Sequence, residues 1–234
     1  MIMAKFPEMA RSGQFLRRMR LFRRDETGSV AIEGVFGSVL LIAWLLVSFQ
    51  VYDAFKLRSA ATRATFTVAD MLSRTREEIG PKYVAGMEKV FAFLTRANKP
   101  NQTWLRVTLF KCKAEPDDDS SVTYCDGKNK KFTLDTGKDG KIASYVYPPS
   151  AAQPYTQAGL NAEADRIPIM AIGDMAVLTE TVYHFNPFLD IGDRGLSFDN
   201  GKTWTQIGLK TGLPFSTFVV TRPREPRIVW NADK

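Results

Sequence analysis

The rhythm of hydrophobic and polar positions changes three times along the chain. From Thr27 to Tyr52 the only charge is Glu33, and the centre of this run, VFGSVLLIAWLLVSF, is apolar at nearly every position with no polar face. At 1.5 Å per residue a helix of this length reaches about 39 Å, more than the roughly 30 Å of a bilayer core. The pattern predicts a transmembrane helix over 29–52. From Asp53 the sequence DAFKLRSAATRATFTVADMLSRTREE is rich in Ala, Leu, Arg and Glu, without Gly or Pro. It predicts that the helix continues over 53–80 as an amphipathic rod, with Phe55, Ala61, Phe66, Ala69 and Leu72 on one side. Gly80-Pro81 is the expected stop. A second helix is expected from Pro81 to about Ala97, because Val84, Met87, Val90, Phe91 and Leu94 recur at three- and four-residue spacing.

Beyond residue 100 the period shortens to two. TWLRVTLFKC, SVTYC, KIASYVY, DMAVLTETVYHF and FSTFVVT read as strands separated by acidic, Pro-rich or Gly-rich turns. The longest places Val177, Thr179, Thr181 and Tyr183 on one face. A long helix, a shorter helix and then a run of strands predict an α+β body over 81–234, its helices packed on a mostly antiparallel sheet.

Charge sharpens the membrane reading. The formal net charge is +7, but residues 1–28 carry seven basic against three acidic side chains, which leaves 25 basic and 22 acidic for the rest. The positive charge belongs to a leader that directly precedes the apolar run. That asymmetry favours a span over the buried core helix of a soluble protein, with the leader cytoplasmic and the body outside. A cleaved secretory signal fits less well, because the basic region and the apolar run are both long and the small residues of RSAA lie well past the run. The body has no basic footprint and no zinc-finger or helix-turn-helix signature, so nucleic acid is not an expected partner. Cys112 and Cys125 agree with an exported body, where they would close a loop worth about 3 kcal/mol. Two unpaired thiols on neighbouring strands are the alternative.

Glu33 is the anomaly. A carboxylate in hydrocarbon costs about 2–3 kcal/mol or more unless it is paired or interfacial. The stretch RRDETGSVAIEG supplies a chemical setting: a basic leader, Gly28, a small residue, and Glu33 five positions after the glycine. Glycine has no side chain to clash, so an extended backbone there can lie close to another chain. Ser29 and Glu33, four residues apart, share a face of the helix that follows.

This arrangement resembles type IV prepilin leaders, and is especially similar to the TadE/TadG family of minor pilin-like proteins of tight-adherence (Flp) pilus systems. ATRATFTVADMLSR, TVYHFNPFL and FVVTRPREPRIVW resemble later parts of the same family. The resemblance implies cutting after Gly28 by a prepilin peptidase, which would free the ammonium of Ser29 as a candidate partner for Glu33, and a single-pass inner-membrane location with a periplasmic domain. It also implies partners among membrane lipid, pilin or other TadE-like subunits and pilus platform proteins. The role implied is non-enzymatic, with no cofactor. One departure is Gly34, where the family often has a bulky apolar residue. With Ser38 it forms a small-x-x-x-small pair that permits close helix approach.

Competing chemistry is sparse. SFDNGKTW resembles the Asp-box of sialidase-type propellers. Asp199 would bond turn amides, Gly201 supply positive φ and Trp204 pack beneath, but a single copy predicts a structural turn. His184 reads as a packing residue, and Asp117–Asp119 as a solvated turn without EF-hand spacing. No nucleophile elbow, phosphate loop or H-E-x-x-H occurs. The alternatives are an uncleaved, membrane-anchored periplasmic sensor or ligand-binding domain and, further off, an anchored carbohydrate-active enzyme.

Overall fold

The computed structural model describes residues 27–113, 124–125, 132–138, 140–188, 209–224 and 227–233, with side chains described from Val30 onward. The chain divides into two compact units, Met1–Phe49 and Gln50–Lys234. The fold is α+β. Helix α1 spans Thr27–Ser73 and α2 spans Pro81–Thr95, followed by strands β1 (Thr103–Cys112), β2 (Tyr124–Cys125), β3 (Phe132–Leu134) and β4 (Ser144–Tyr147). A short helix α3 (Gln157–Ala162) and a 3-10 turn precede β5 (Met170–Ala171), β6 (Met175–Phe185) and β7 (Leu213–Thr221).

The main sheet is antiparallel throughout. β1 lies between β6 and the short pair β3 and β4, and β7 closes the far side of β6. β1 and β6 run together from Thr103 opposite Tyr183 to Lys111 opposite Met175. This register turns Leu105, Val107, Leu109, Val177, Tyr183 and Phe185 towards the helices, where they form one core with α1 and α2. The opposite face builds a second core from Phe110, Cys112, Ala176 and Leu178 with Cys125, Phe132, Leu160 and Ile167. Both faces of β6 are therefore covered, and only Glu180 and His184 on it are less than fully buried.

The burial pattern of α1 within the Gln50–Lys234 unit corrects the sequence reading. Ala61, Ala69 and Leu72 are buried as expected, but Phe55 and Phe66 are 66% and 57% exposed. The buried stripe runs through Ala54, Ala61, Ala64, Thr65, Val68 and Leu72. Small side chains at helical spacing let the backbone approach the sheet closely, and a phenylalanine on this stripe would hold it away. The contact includes a buried hydroxyl pair, Thr65 Oγ1 to Thr181 Oγ1 at 2.6 Å, while Thr65 donates to the Ala61 carbonyl at 2.8 Å.

α1 also ends earlier than expected, at Ser73 rather than at Gly80-Pro81. Pairing with the C-terminal segment takes over. Ile79 is fully buried, donates its amide to the Val229 carbonyl at 3.0 Å and accepts from Asn231 at 2.9 Å. Arg224 N donates to the Ser73 carbonyl at 2.9 Å, satisfying an acceptor at the helix end. These long-range bonds outweigh the weak preference of SRTREE for helix.

α2 begins at Pro81 as expected and ends at Thr95, where Arg96 adopts left-handed backbone (φ 57°) and returns its amide to Ala92 and Phe93. Val84 and Phe91 are buried and Met87 and Val90 partly so, but Leu94 is exposed. Glu88 and Thr95 take the remaining buried positions. Glu88 accepts a hydrogen bond from Thr103 Oγ1 at 2.6 Å, which satisfies a carboxylate oxygen that would otherwise be costly to bury. β3, β5 and α3 have no counterpart in the sequence-based expectation.

Candidate processing site and membrane segment

Among the described residues, α1 is the one helix long and apolar enough to cross a membrane. From Val30 to Phe49 the described side chains are exposed except the partly buried Leu46, and Val30, Phe36, Leu40 and Trp44 are strongly so. The first buried side chain along it is Gln50. For an isolated chain in water such an exposed apolar surface would be unfavourable at about 25 cal/mol per Å². The segment is built for an apolar solvent.

The candidate processing residues sit at its start. Gly28 and Ser29 lie in the first turn of α1, which begins at Thr27 rather than at Ser29, a difference within the usual fraying of a helix end. The first turn lacks intrahelical partners for its amides, so opening it to an extended form costs little hydrogen bonding. Glu33 is exposed one turn further on, on the uninterrupted helix. Nothing lies within 4 Å of a Cβ built on Gly34 or on Gly37, so both leave a shallow, open notch in the helix surface. Ser38 Oγ donates to the Val35 carbonyl at 2.8 Å, which satisfies the hydroxyl within the helix. This is the arrangement a serine needs in a solvent that offers no hydrogen bonds.

In the body, Cys112 and Cys125 form the expected disulfide, with Cα atoms 5.9 Å apart. Both cysteines are buried in the second core, and Cys125 is brought there by the pairing of β2 with β5. His184 is half-buried and its Nδ1 lies 3.2 Å from the Gly212 carbonyl, a packing role as expected. Asp199, Gly201 and Trp204 lie outside the described residues, as do Asp117, Asp118 and Asp119. Among the described residues no group of three or more His, Cys, Asp or Glu side chains could hold a metal ion.

One polar cluster escaped the sequence reading. Arg106 and Glu180 are opposite each other across β1 and β6 and are largely buried as an ion pair, with Arg106 Nε donating to Glu180 Oε2 at 3.1 Å. The guanidinium lies 3.8 Å from the Tyr155 ring centre and donates to the Gln153 carbonyl at 2.8 Å. The Tyr155 hydroxyl donates to Glu180 Oε2 at 3.1 Å. Burial, reinforced by the Glu180 charge, pushes the Tyr155 hydroxyl up to about 12. Arg106 and Glu180 engage each other and Tyr155, so the cluster acts as a clasp that holds the 153–155 segment on the sheet. The signal in the sequence is faint: a charge at an inward position of each of two paired strands.

No family model, curated protein or solved structure matches the chain.

Proposed function

We propose that the chain is a single-pass inner-membrane protein of the TadE-like pseudopilin or minor pilin type, acting non-enzymatically in the assembly of a tight-adherence pilus. The basic leader to Gly28 stays in the cytoplasm, the apolar part of α1 spans the membrane, and the body from Gln50 folds in the periplasm. A prepilin peptidase cuts after Gly28, and the new Ser29 ammonium partners Glu33 in the same helix or in a neighbouring subunit. The exposed apolar segment then offers its surface, including the notch at Gly34, to pilin or platform-protein helices.

The observation that carries this reading is the leader RRDETGSVAIEG, joined directly to an apolar helical segment whose described side chains are exposed except the partly buried Leu46. A disulfide-bonded body supports export, since such bonds persist in oxidising compartments. The test is mass spectrometry of the N-terminus of the protein taken from native membranes. The expected mature chain begins at Ser29 and disappears in Gly28→Ala or in cells lacking the peptidase. A wild-type protein found intact from Met1 would overturn the reading and leave an uncleaved membrane-anchored domain in its place.

A further inference from the structure

α1 and α2 stop for different reasons. α2 ends on a local device, the left-handed Arg96. α1 has none: among the described residues, positive φ at a non-glycine occurs only at Arg96 and Asn101. Its last amides tighten towards 3-10 spacing, Arg74 to Met71 and Thr75 to Leu72 at 3.3 Å. Beyond them the chain is held by the C-terminal tail. Besides the backbone bonds to Ser73 and Ile79, Asn231 Nδ2 donates to Glu78 Oε2 at 2.8 Å, and the Lys138 amide donates to the Trp230 carbonyl at 3.2 Å. Ile228 and Trp230, buried in the first core, anchor the tail.

The segment between the two helices keeps a second option in its sequence. From Ser73 to Ile79 there is no glycine or proline, and the first barrier to a helix is Gly80-Pro81. Ile79 stands seven residues after Leu72 and fourteen after Thr65, both buried on the inward stripe of α1. In a continued helix Ile79 falls on that same stripe. Arg74 then has Glu77 and Glu78 three and four residues further on, opposite charges at the spacing where helical neighbours meet. The sequence thus offers Ile79 two inward positions: paired with the tail, as observed, or on the next turns of α1. The six residues from Arg74 to Ile79 would add about 9 Å to the helix.

We propose that the C-terminal tail is a strap that sets the length of α1. Docked, it stops the helix at Ser73 and holds Ile79 in an extended pairing. Released, residues 74–79 join α1 and the helix runs on to Gly80. Any event that takes up the tail is then read at the end of α1, a two-state element biased by one short segment. The device lies wholly within the Gln50–Lys234 unit and is independent of cleavage after Gly28.

The test is nuclear magnetic resonance of the protein in detergent, carrying isoleucine labelled with carbon-13 at Cα, with the Ile79 signal assigned by Ile79→Val. In the full-length wild type its Cα shift should be strand-like. In a chain ended at Pro223 it should move downfield to a helical value, and a synthetic peptide of residues 224–234 added in trans should reverse the move. A strand-like shift kept without the tail would overturn the proposal. So would a random-coil value, which would mean that the connector frays when the tail is gone. If the shortened chain loses its spectral dispersion throughout, Asn231→Pro decides. That substitution removes the amide from which the Ile79 carbonyl accepts and leaves Ile228 and Trp230 in place. It should give a second, helical Ile79 signal, and a single strand-like or random-coil signal would refute the strap.

Discussion

Replacing both Cys112 and Cys125 by alanine should lower the melting temperature of the body by about 6–12 °C. The bridge spans 13 residues, and cross-linking a loop of that size removes about 3 kcal/mol of chain entropy from the unfolded state. A domain of 150–250 residues loses about 2–4 °C per kcal/mol, which gives the quoted range. Alanine is preferred to serine because both positions are buried among Phe110, Phe132 and Ile167, where a hydroxyl would add a desolvation cost of its own. The assay is thermal unfolding of the full-length protein in detergent, followed by near-ultraviolet circular dichroism, beside wild type with and without reductant. Reduced wild type should melt close to the double alanine variant. A shift smaller than about 2 °C in both would refute the reasoning. It would mean that the pairing of β2 with β5 holds Cys125 in place without the staple. The same bond reports on compartment: without reductant, wild type in intact cells should resist alkylation by a thiol-reactive polymer, whereas a body left in the cytoplasm would react.

Two further expectations concern groups buried in or against the sheet. Thr65→Val should cost about 1–3 kcal/mol, because it leaves the fully buried Thr181 hydroxyl without its partner. Thr65→Val combined with Thr181→Val should melt closer to wild type than Thr65→Val alone, and a double variant worse than either single one would contradict the pairing. The Tyr155 hydroxyl, pushed up to about 12 from its ordinary 10.0 by burial first and by Glu180 second, is held in its neutral form by the fold. Its stabilisation is complete below pH 10 and lost as pH rises through about 12. Stability should therefore fall more steeply over this window in wild type than in Tyr155→Phe. Alkaline melts that are parallel for the two proteins would remove Tyr155 from the clasp, and the burial-raised Tyr183 is common to both.

The elements legible in the sequence are those whose period is set by a single burial surface. The all-apolar run, α2, and the strand at Thr103–Cys112 follow from pattern alone, as does the strand read at Phe215–Thr221, which begins two residues earlier at Leu213; Val177, Thr179, Thr181 and Tyr183 share one face of β6, and it is the face that meets the helices. The pairing of Cys112 with Cys125 was readable from its loop length and export context. Elements held by distant partners were not readable. β3 is defined by three residue pairs with β1, and β5 by two with β2, so neither has enough length for a period to show. The early end of α1 depends on the tail at 224–231, more than 150 positions away in sequence. At the processing site the order of Gly28, Ser29 and Glu33 is entirely a sequence feature, and the structure adds the helix on which they lie.

The misreading of α1 carries a physical lesson about how a helix packs on a sheet. The expectation for 53–80 placed Phe55 and Phe66 on one side of the rod together with Ala61, Ala69 and Leu72. Within the body, however, α1 lies against a sheet face that carries Leu105, Val107, Val177 and Tyr183, and most of the side chains it buries there are small: Ala54, Ala61, Ala64 and Val68, with Leu72 at its end. Packing density, not side-chain hydrophobicity, selects the inward face there. Ala61, Ala69 and Leu72 of that side are buried, and the two phenylalanines are what the packed face leaves out. Phe55 and Phe66 are then free to face outward. Burial along α1 begins at Gln50, and from there the small residues, not the aromatic ones, mark the packed face.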